Sequence, residues 1–260
     1  MYDLHCHILP GVDDGAKTPK DTMQMVRVAA AQGTKVIVAS PHRKDVTENW
    51  SVDHVRNLLD EANRRSQNEG IDLALMPGME NHLDLELPED ASSGVALTLN
   101  GSRYILVEMP FFGRPNYVED VLFRLQLQGL TPVLAHPERI EAFQNDLGLL
   151  SIFVERGMLC QVTAGSIVGY FGGQVQRFTR TLLRRGLVHI IASDAHFPDG
   201  RRSPALQPGV DAAAHLVGPE RARAMVEDTP RAIVENLPVK AEPPGQVVQP
   251  RRWWRFWGAG

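Results

Sequence analysis

The chain has 260 residues, 43% of them hydrophobic and 22% charged, a composition that supports one large globular domain with a core of its own. A formal net charge of −4 argues against a general nucleic-acid surface, and no run of eighteen apolar residues could cross a bilayer. With two distant cysteines, Cys6 and Cys160, and no basic-then-apolar opening, the expectation is a cytoplasmic protein without a structural disulfide.

In chain order, short apolar runs alternate with helical patterns. Strands are predicted at residues 2–7, 35–39, 73–76, 104–108, 131–135, 159–163 and 189–193, spaced by roughly 30 residues, the length of one βα repeat. The implied fold class is α/β, a parallel sheet or barrel. Between the first two strands, Thr18 reads as an N-cap, Pro19 as the first helical residue and Asp21 as a first-turn acid, with Gly33 past the end. Met23, Val26 and Ala30 then share one face. Similar punctuation encloses helical segments between Ser51 and Gly70, Asn116 and Gly129, and Gln174 and Gly186, while Pro219 and Pro230 open two short terminal helices. After Lys240 the composition shifts to AEPPGQVVQP, a linker, and then to RRWWRFWGAG, which holds three of the four tryptophans. Residues 241–260 are therefore expected to be a tail outside the main domain of residues 1–240, suited to weak contact with a membrane surface or a partner groove.

In barrels and open α/β sheets the functional groups stand at the carboxyl ends of the strands. Here those positions hold metal-ligand residue types almost without exception. His5 and His7 close the first run at i and i+2, a spacing that puts two imidazoles on one strand face, and Asp14 follows in VDDG. His42 follows VIVASP, Glu80 follows LALMPGM, Glu108 ends ILVE, His136 follows PVLA, and Asp194 and His196 follow IIAS. Five of nine histidines and four carboxylates thus gather from six strand ends. Any one of them alone would be a capping or solvated residue; together they exceed the needs of one ion and suit two or three divalent ions held by nitrogen and oxygen. His54, His82, His189 and His215 fall outside the pattern and read as structural. Cys6 alternates with the two histidines and points into the sheet. No arginine follows either cysteine closely enough for a thiol-phosphatase loop.

The motifs HCHILPGVDDG, SPHR, PGME, VEMP, AHPERI, QVTAGS and SDAH, in this order, resemble the polymerase and histidinol phosphatase (PHP) superfamily. Within it they are similar to the bacterial manganese-dependent tyrosine-protein phosphatases of capsule and exopolysaccharide loci, the CpsB/YwqE type, over roughly residues 1–240. The resemblance implies a distorted TIM-like barrel of about seven βα units with three metal ions at its carboxyl end, manganese favoured and iron or zinc possible. It further implies that His5, His7, Glu80 and Asp194 surround one ion, Glu80, Glu108 and His136 a second, and Asp14, His42 and His196 a third. HPER supplies Arg139, which in the family meets phosphate. A second family arginine follows SDAH; Arg201 is favoured over Arg202 for that place, and Phe197 stands where the family often has a small polar residue.

Four carboxylates facing three divalent ions leave net positive charge, a reason to bind a phosphate dianion. Bound water would be acidified and in-line attack on phosphorus would follow, with the arginine fork matching phosphate oxygens. The implied function is a protein-tyrosine phosphatase acting on a phosphotyrosine-bearing bacterial tyrosine kinase, in the cytoplasm or at the inner face of the membrane. The alternatives are a small-molecule phosphomonoesterase such as histidinol-phosphate phosphatase, and a regulatory protein that only binds phosphotyrosine. An amidohydrolase would carry a bridging lysine where this chain has Glu108.

Overall fold

Thr18 confirms how the first helix begins: its side chain accepts from the Asp21 N–H at 3.2 Å while the Asp21 carboxylate accepts from the Thr18 N–H at 2.9 Å, a reciprocal capping box. The helix runs Pro19–Ala31 and buries Met23 and Val26. Ser51 caps Val52–Asn68 by accepting from the His54 N–H at 3.2 Å, without the reciprocal bond. In the computed structural model, which describes residues 1–239, the strands are β1 (Tyr2–Cys6), β2 (Val36–Ala39), β3 (Ala74–Pro77), β4 (Asn81–His82), β5 (Tyr104–Glu108), β6 (Thr131–Ala135), β7 (Leu159–Thr163) and β8 (Ile190–Ala192). Seven of them fall on the predicted runs. β4 is too short to leave a periodic signal. The tail expected at residues 241–260 lies outside the described residues.

Every strand pairing is parallel, and the strands form a three-stranded sheet, β1-β2-β3, and a five-stranded sheet, β4 through β8 in order. In place of one continuous ladder there are two seams. At the first, Cys6 bridges Ala195, the His7 N–H donates to the Ala195 carbonyl at 2.8 Å, and the Asp194 N–H donates to the His5 carbonyl at 2.8 Å. At the second, His42 bridges Glu80, flanked by Arg43 N–H to Glu80 carbonyl at 2.9 Å. The sheets share a core: Leu4, Val38, Leu106, Val133, Leu159 and Ile190 come from six strands and pack as one cluster. Each such side chain contributes roughly 1.5–3 kcal/mol on burial. Two further clusters lie between the sheets and the surrounding helices.

At the amino ends of the strands the helix Asp228–Val234 closes the core with Ile233 and Val234. Tyr104 Oη there donates to the Leu237 carbonyl and accepts from the Val239 N–H, both at 2.8 Å. The helix begins two residues before Pro230 rather than at it. Among the helices not predicted are Arg43–Asn49, Leu87–Ser93 and Leu147–Glu155. The last is so uniformly apolar, with Leu149, Leu150, Phe153 and Val154 buried, that it shows no stripe to read. No described helix is long and apolar enough to cross a membrane.

Candidate metal centre

The strand pleat delivers several site residues directly. Leu106 belongs to the shared core, so Glu108, two residues on, faces the same way. β1 needs a correction to that rule. Its register against β2 runs Tyr2↔Val36, Asp3↔Ile37, then Cys6↔Ala39, so β1 carries one extra residue, a bulge. Leu4 lies in the shared core and Cys6 in the outer cluster, and the bulge is what allows Leu4, His5 and His7 all to be used inside.

His136 (φ 31°) and Asp194 (φ 50°) follow β6 and β8 in the left-handed region, which costs a side-chain-bearing residue about 1–3 kcal/mol. The other two described non-glycine residues there are Asn100 and Asn236, a type that tolerates it. Two of these four positions therefore lie where the site is built.

The cluster is contiguous. His5 Nε2 and His7 Nε2 lie 3.2 Å apart, at 3.3 and 3.4 Å from the two Glu80 oxygens, and each is 3.7 Å from Asp194 Oδ1. His136 Nε2 is 2.9 Å from Glu80 Oε1 and 3.5 Å from Glu108 Oε1. His42 reaches Glu80 through Nδ1 at 3.0 Å and Asp14 through Nε2 at 3.5 Å, and His196 Nε2 is 3.1 Å from Asp14. All nine sequence-predicted residues are thus brought together. Three groups have ligand atoms close enough to share an ion: His7, Asp14, His42 and His196; His5, His7 and Glu80; and His42, Glu80 and Glu108. This grouping differs from the expected one in giving His7 and His42 each to two groups and in leaving His136 and Asp194 outside all three.

Which ring nitrogen faces inward is decided by the outer partners. His5 Nδ1 meets Gln161 Oε1 at 2.8 Å, His7 Nδ1 meets Asp13 Oδ2 at 2.7 Å, and His196 Nδ1 meets the Asp194 carbonyl at 3.1 Å. These oxygens only accept, so each Nδ1 carries the proton and each Nε2 lone pair is turned to the centre, the usual orientation of a metal-binding imidazole. Two such lone pairs at 3.2 Å repel unless positive charge lies between them, and the residues present fit divalent cations on that ground.

The carboxylates around the cluster call for positive charge as well, which protons on the imidazoles would supply where no cation is bound. Burial would lower the His7 pKa, yet Asp13 and Glu80 raise it to about 10; burial likewise opposes His42, which hydrogen bonds with Asp14 and Glu80 raise to about 11. Burial would raise Glu80, but the imidazoles of His5, His136 and His42 hold it well below the usual carboxylate range.

Asp13 was not foreseen. Besides orienting His7 it accepts from the His42 N–H at 3.1 Å, and its only signal in the sequence is its place beside Asp14 in VDDG. Gly15 makes that loop possible, since a Cβ there would lie 2.1 Å from the His7 carbonyl oxygen.

Arg139 Nη1 donates to Asp194 Oδ2 at 2.7 Å, and Arg202 Nη2 donates to Asp194 Oδ1 at 2.8 Å. Of the two arginines weighed for the second place, Arg201, the one favoured from the sequence, is exposed, and Arg202 is the one that meets Asp194 and also accepts, through its carbonyl, from the His196 and Phe197 N–H groups. Among the residues left as structural, His82 stays at the edge, its Nδ1 3.8 Å from Glu108. Cys6 and Cys160 are buried free thiols whose pKa values burial pushes up, which removes them as nucleophiles.

Residues 1–235 match the family described as capsular polysaccharide synthesis, CpsB/CapC. Tyrosine-protein phosphatase YwqE of Bacillus subtilis is 41% identical over 196 residues, 75% of this chain and 77% of the relative. Tyrosine-protein phosphatase CpsB of Streptococcus pneumoniae is 30% identical over 240 residues, 90% of this chain and 98% of the relative. A crystal structure from the pair YwqE of Bacillus subtilis and CpsB of Streptococcus pneumoniae, described as unique metal-dependent tyrosine phosphatases, superposes with a TM-score of 0.89 at 36% identity, over 96% of this chain and 100% of that one. An L-hydantoinase from Arthrobacter aurescens shares the fold, with a TM-score of 0.53 at 12% identity over 95% of this chain and 73% of that one.

Proposed function

The chain belongs to the CpsB/CapC family of capsular polysaccharide synthesis, and from that premise we propose that it is a metal-dependent protein-tyrosine phosphatase. The observation that carries the reading is the single cluster of five imidazoles and four carboxylates next to two arginines that share Asp194. We read the two sheets as one distorted barrel joined at its two seams, within a catalytic domain of residues 1–240.

His5, His7, Asp14, His42, Glu80, Glu108, His136, Asp194 and His196 would hold three divalent ions, with manganese favoured. When bound, such ions acidify water and stabilise charge on phosphate oxygens. The protein's own part is positional. Gln161, Asp13 and the Asp194 carbonyl fix the imidazoles, and Asp194 fixes the guanidinium groups of Arg139 and Arg202 before a phosphate arrives, so little reorganisation is left for the reaction. Each guanidinium has further N–H groups to offer a phosphate oxygen. Phe112 and Phe197, exposed on the loops after β5 and β8, offer apolar surface to a phenyl ring. A phenolate leaving group, with a pKa near 10, needs less help from a general acid than an alkoxide does.

The substrate protein in this reading is a phosphotyrosine-bearing tyrosine kinase at the inner face of the membrane, and the tail of residues 241–260 serves location rather than chemistry. The deciding experiment measures phosphate release by Mn2+-loaded protein from a phosphotyrosyl peptide and from histidinol phosphate. Preference for the peptide is expected. Turnover of histidinol phosphate alone would replace the reading with a small-molecule phosphatase, and no turnover of either with metal bound would overturn it.

A further inference from the structure

His136 is held differently from its neighbours. His5, His7 and His196 are each oriented by a hydrogen bond at Nδ1, but His136 Nδ1 is buried and no described protein group bonds to it. What lies against the ring instead is Phe111, stacked with centroids 5.4 Å apart and planes 9° from parallel. The same phenyl ring lies 4.9 Å from Arg139 Cζ, and a second ring, Phe171, lies 4.6 Å from it.

Phe111 is itself well anchored. It follows Glu108, Met109 and Pro110 at the exit from β5, packs against the larger core cluster, and its carbonyl accepts from the Glu141 N–H at 3.0 Å. A guanidinium over an aromatic face is attracted by the ring's negative centre and kept parallel to it, and a stacked imidazole loses its freedom to rotate.

We propose that Phe111 is a positioning residue that aligns a metal-binding imidazole, His136, and a phosphate-binding guanidinium, Arg139, on one aromatic ring. It does for His136 by stacking what Gln161 and Asp13 do for His5 and His7 by hydrogen bonding. Phe171 contributes to Arg139 alone. The inference rests on the roles given above to His136 and Arg139.

The test compares the full chain with Phe111→Leu, Phe111→Tyr and Phe171→Leu, following Mn2+ binding and inorganic phosphate binding by titration calorimetry, with thermal melting to verify folding. Loss of an orienting partner typically weakens metal binding about 10–100-fold, and Phe111→Leu is expected to lose at least about tenfold in Mn2+ affinity and to weaken phosphate binding as well. Phe111→Tyr, which keeps the ring face, should bind both like the parent. Phe171→Leu should weaken phosphate while leaving Mn2+ unchanged. A folded Phe111→Leu protein with parental affinity for both ligands would overturn the proposal, as would a Phe111→Tyr protein as impaired as Phe111→Leu. Should Phe111→Leu not fold, the Tyr and Phe171 variants still decide: parental binding of phosphate by Phe171→Leu, or loss of Mn2+ by Phe111→Tyr, overturns it. If the parent binds Mn2+ and phosphate yet releases no phosphate from phosphotyrosine, the phosphatase reading fails, and the binding results still judge Phe111.

Discussion

His7, at the exit from β1, and His189, at the entry to β8, are both removed from solvent in large part, and the two ends of the parallel strands treat them in opposite ways. Desolvation, helped by the charge of Arg221, lowers the His189 pKa to about 4. There it is a neutral acceptor for the Cys160 N–H at 3.0 Å. Desolvation works against the charged form of His7 as well, but Asp13 and Glu80 overcome it. Burial sets the default, and nearby carboxylates decide whether it holds. At the amino ends of the strands Tyr104 closes the core with bonds to Leu237 and Val239; the carboxyl ends gather charge, with positive φ at His136 and Asp194.

The comparison is broken most completely by removing charge from the centre of the cluster. Glu80 touches four imidazoles, so Glu80→Gln should cut turnover on a phosphotyrosyl peptide by more than about a hundredfold, beyond the loss usual for an outer residue, with the melting temperature retained. Turnover within a few-fold of the parent would contradict the importance given to its central place in the cluster.

One shell out, Asp13→Asn should weaken Mn2+ affinity by about 10–100-fold, read by calorimetry, because the amide holds His7 less firmly than the carboxylate does. The arginines give a smaller contrast. Arg202→Lys should lower kcat/KM on the peptide about tenfold, since one ammonium cannot both hold Asp194 and present a planar fork, while Arg201→Lys should leave it unchanged. Equal effects would erase the distinction drawn between them.

The smallest effect belongs to the opposite end. The His189 pKa in the folded protein lies below the ordinary 6.5, so on acidification the unfolded chain takes up this proton first. Its contribution to stability is therefore intact above about pH 6.5 and is lost as pH falls toward 4, by at most about 3 kcal/mol. His189→Asn keeps an acceptor for Cys160 without titrating. Melting both proteins between pH 7 and pH 5 should show the parent losing stability faster than the variant, and parallel curves would contradict the assignment.

Much of the site was legible because its residues occupy strand ends, where pattern and chemistry coincide: Glu108 follows from the alternation of β5, and His5 with His7 from their spacing. The physical route to the second result was nonetheless different from the expected one. Regular alternation after Leu4 would have put Cys6 inside, and only the bulge in β1, invisible in composition, reverses it. Which of Arg201 and Arg202 lies against Asp194 was equally out of reach, since it depends on how the turn Gly200–Arg202 is tied back to His196. Asp13 looked like a spare acid beside Asp14 until the fold laid it against His7. β4 and the helix Leu147–Glu155 escaped for the simpler reason that one is too short and the other too apolar to show a period.

The central claim is that this cluster is a metal-dependent phosphotyrosine-hydrolysing site. Its most direct test is phosphate release from a phosphotyrosyl peptide by protein stripped with chelator and then titrated with Mn2+. The account predicts no turnover by the stripped protein and recovery that saturates with bound metal. Undiminished turnover by protein shown by elemental analysis to be metal-free would contradict it.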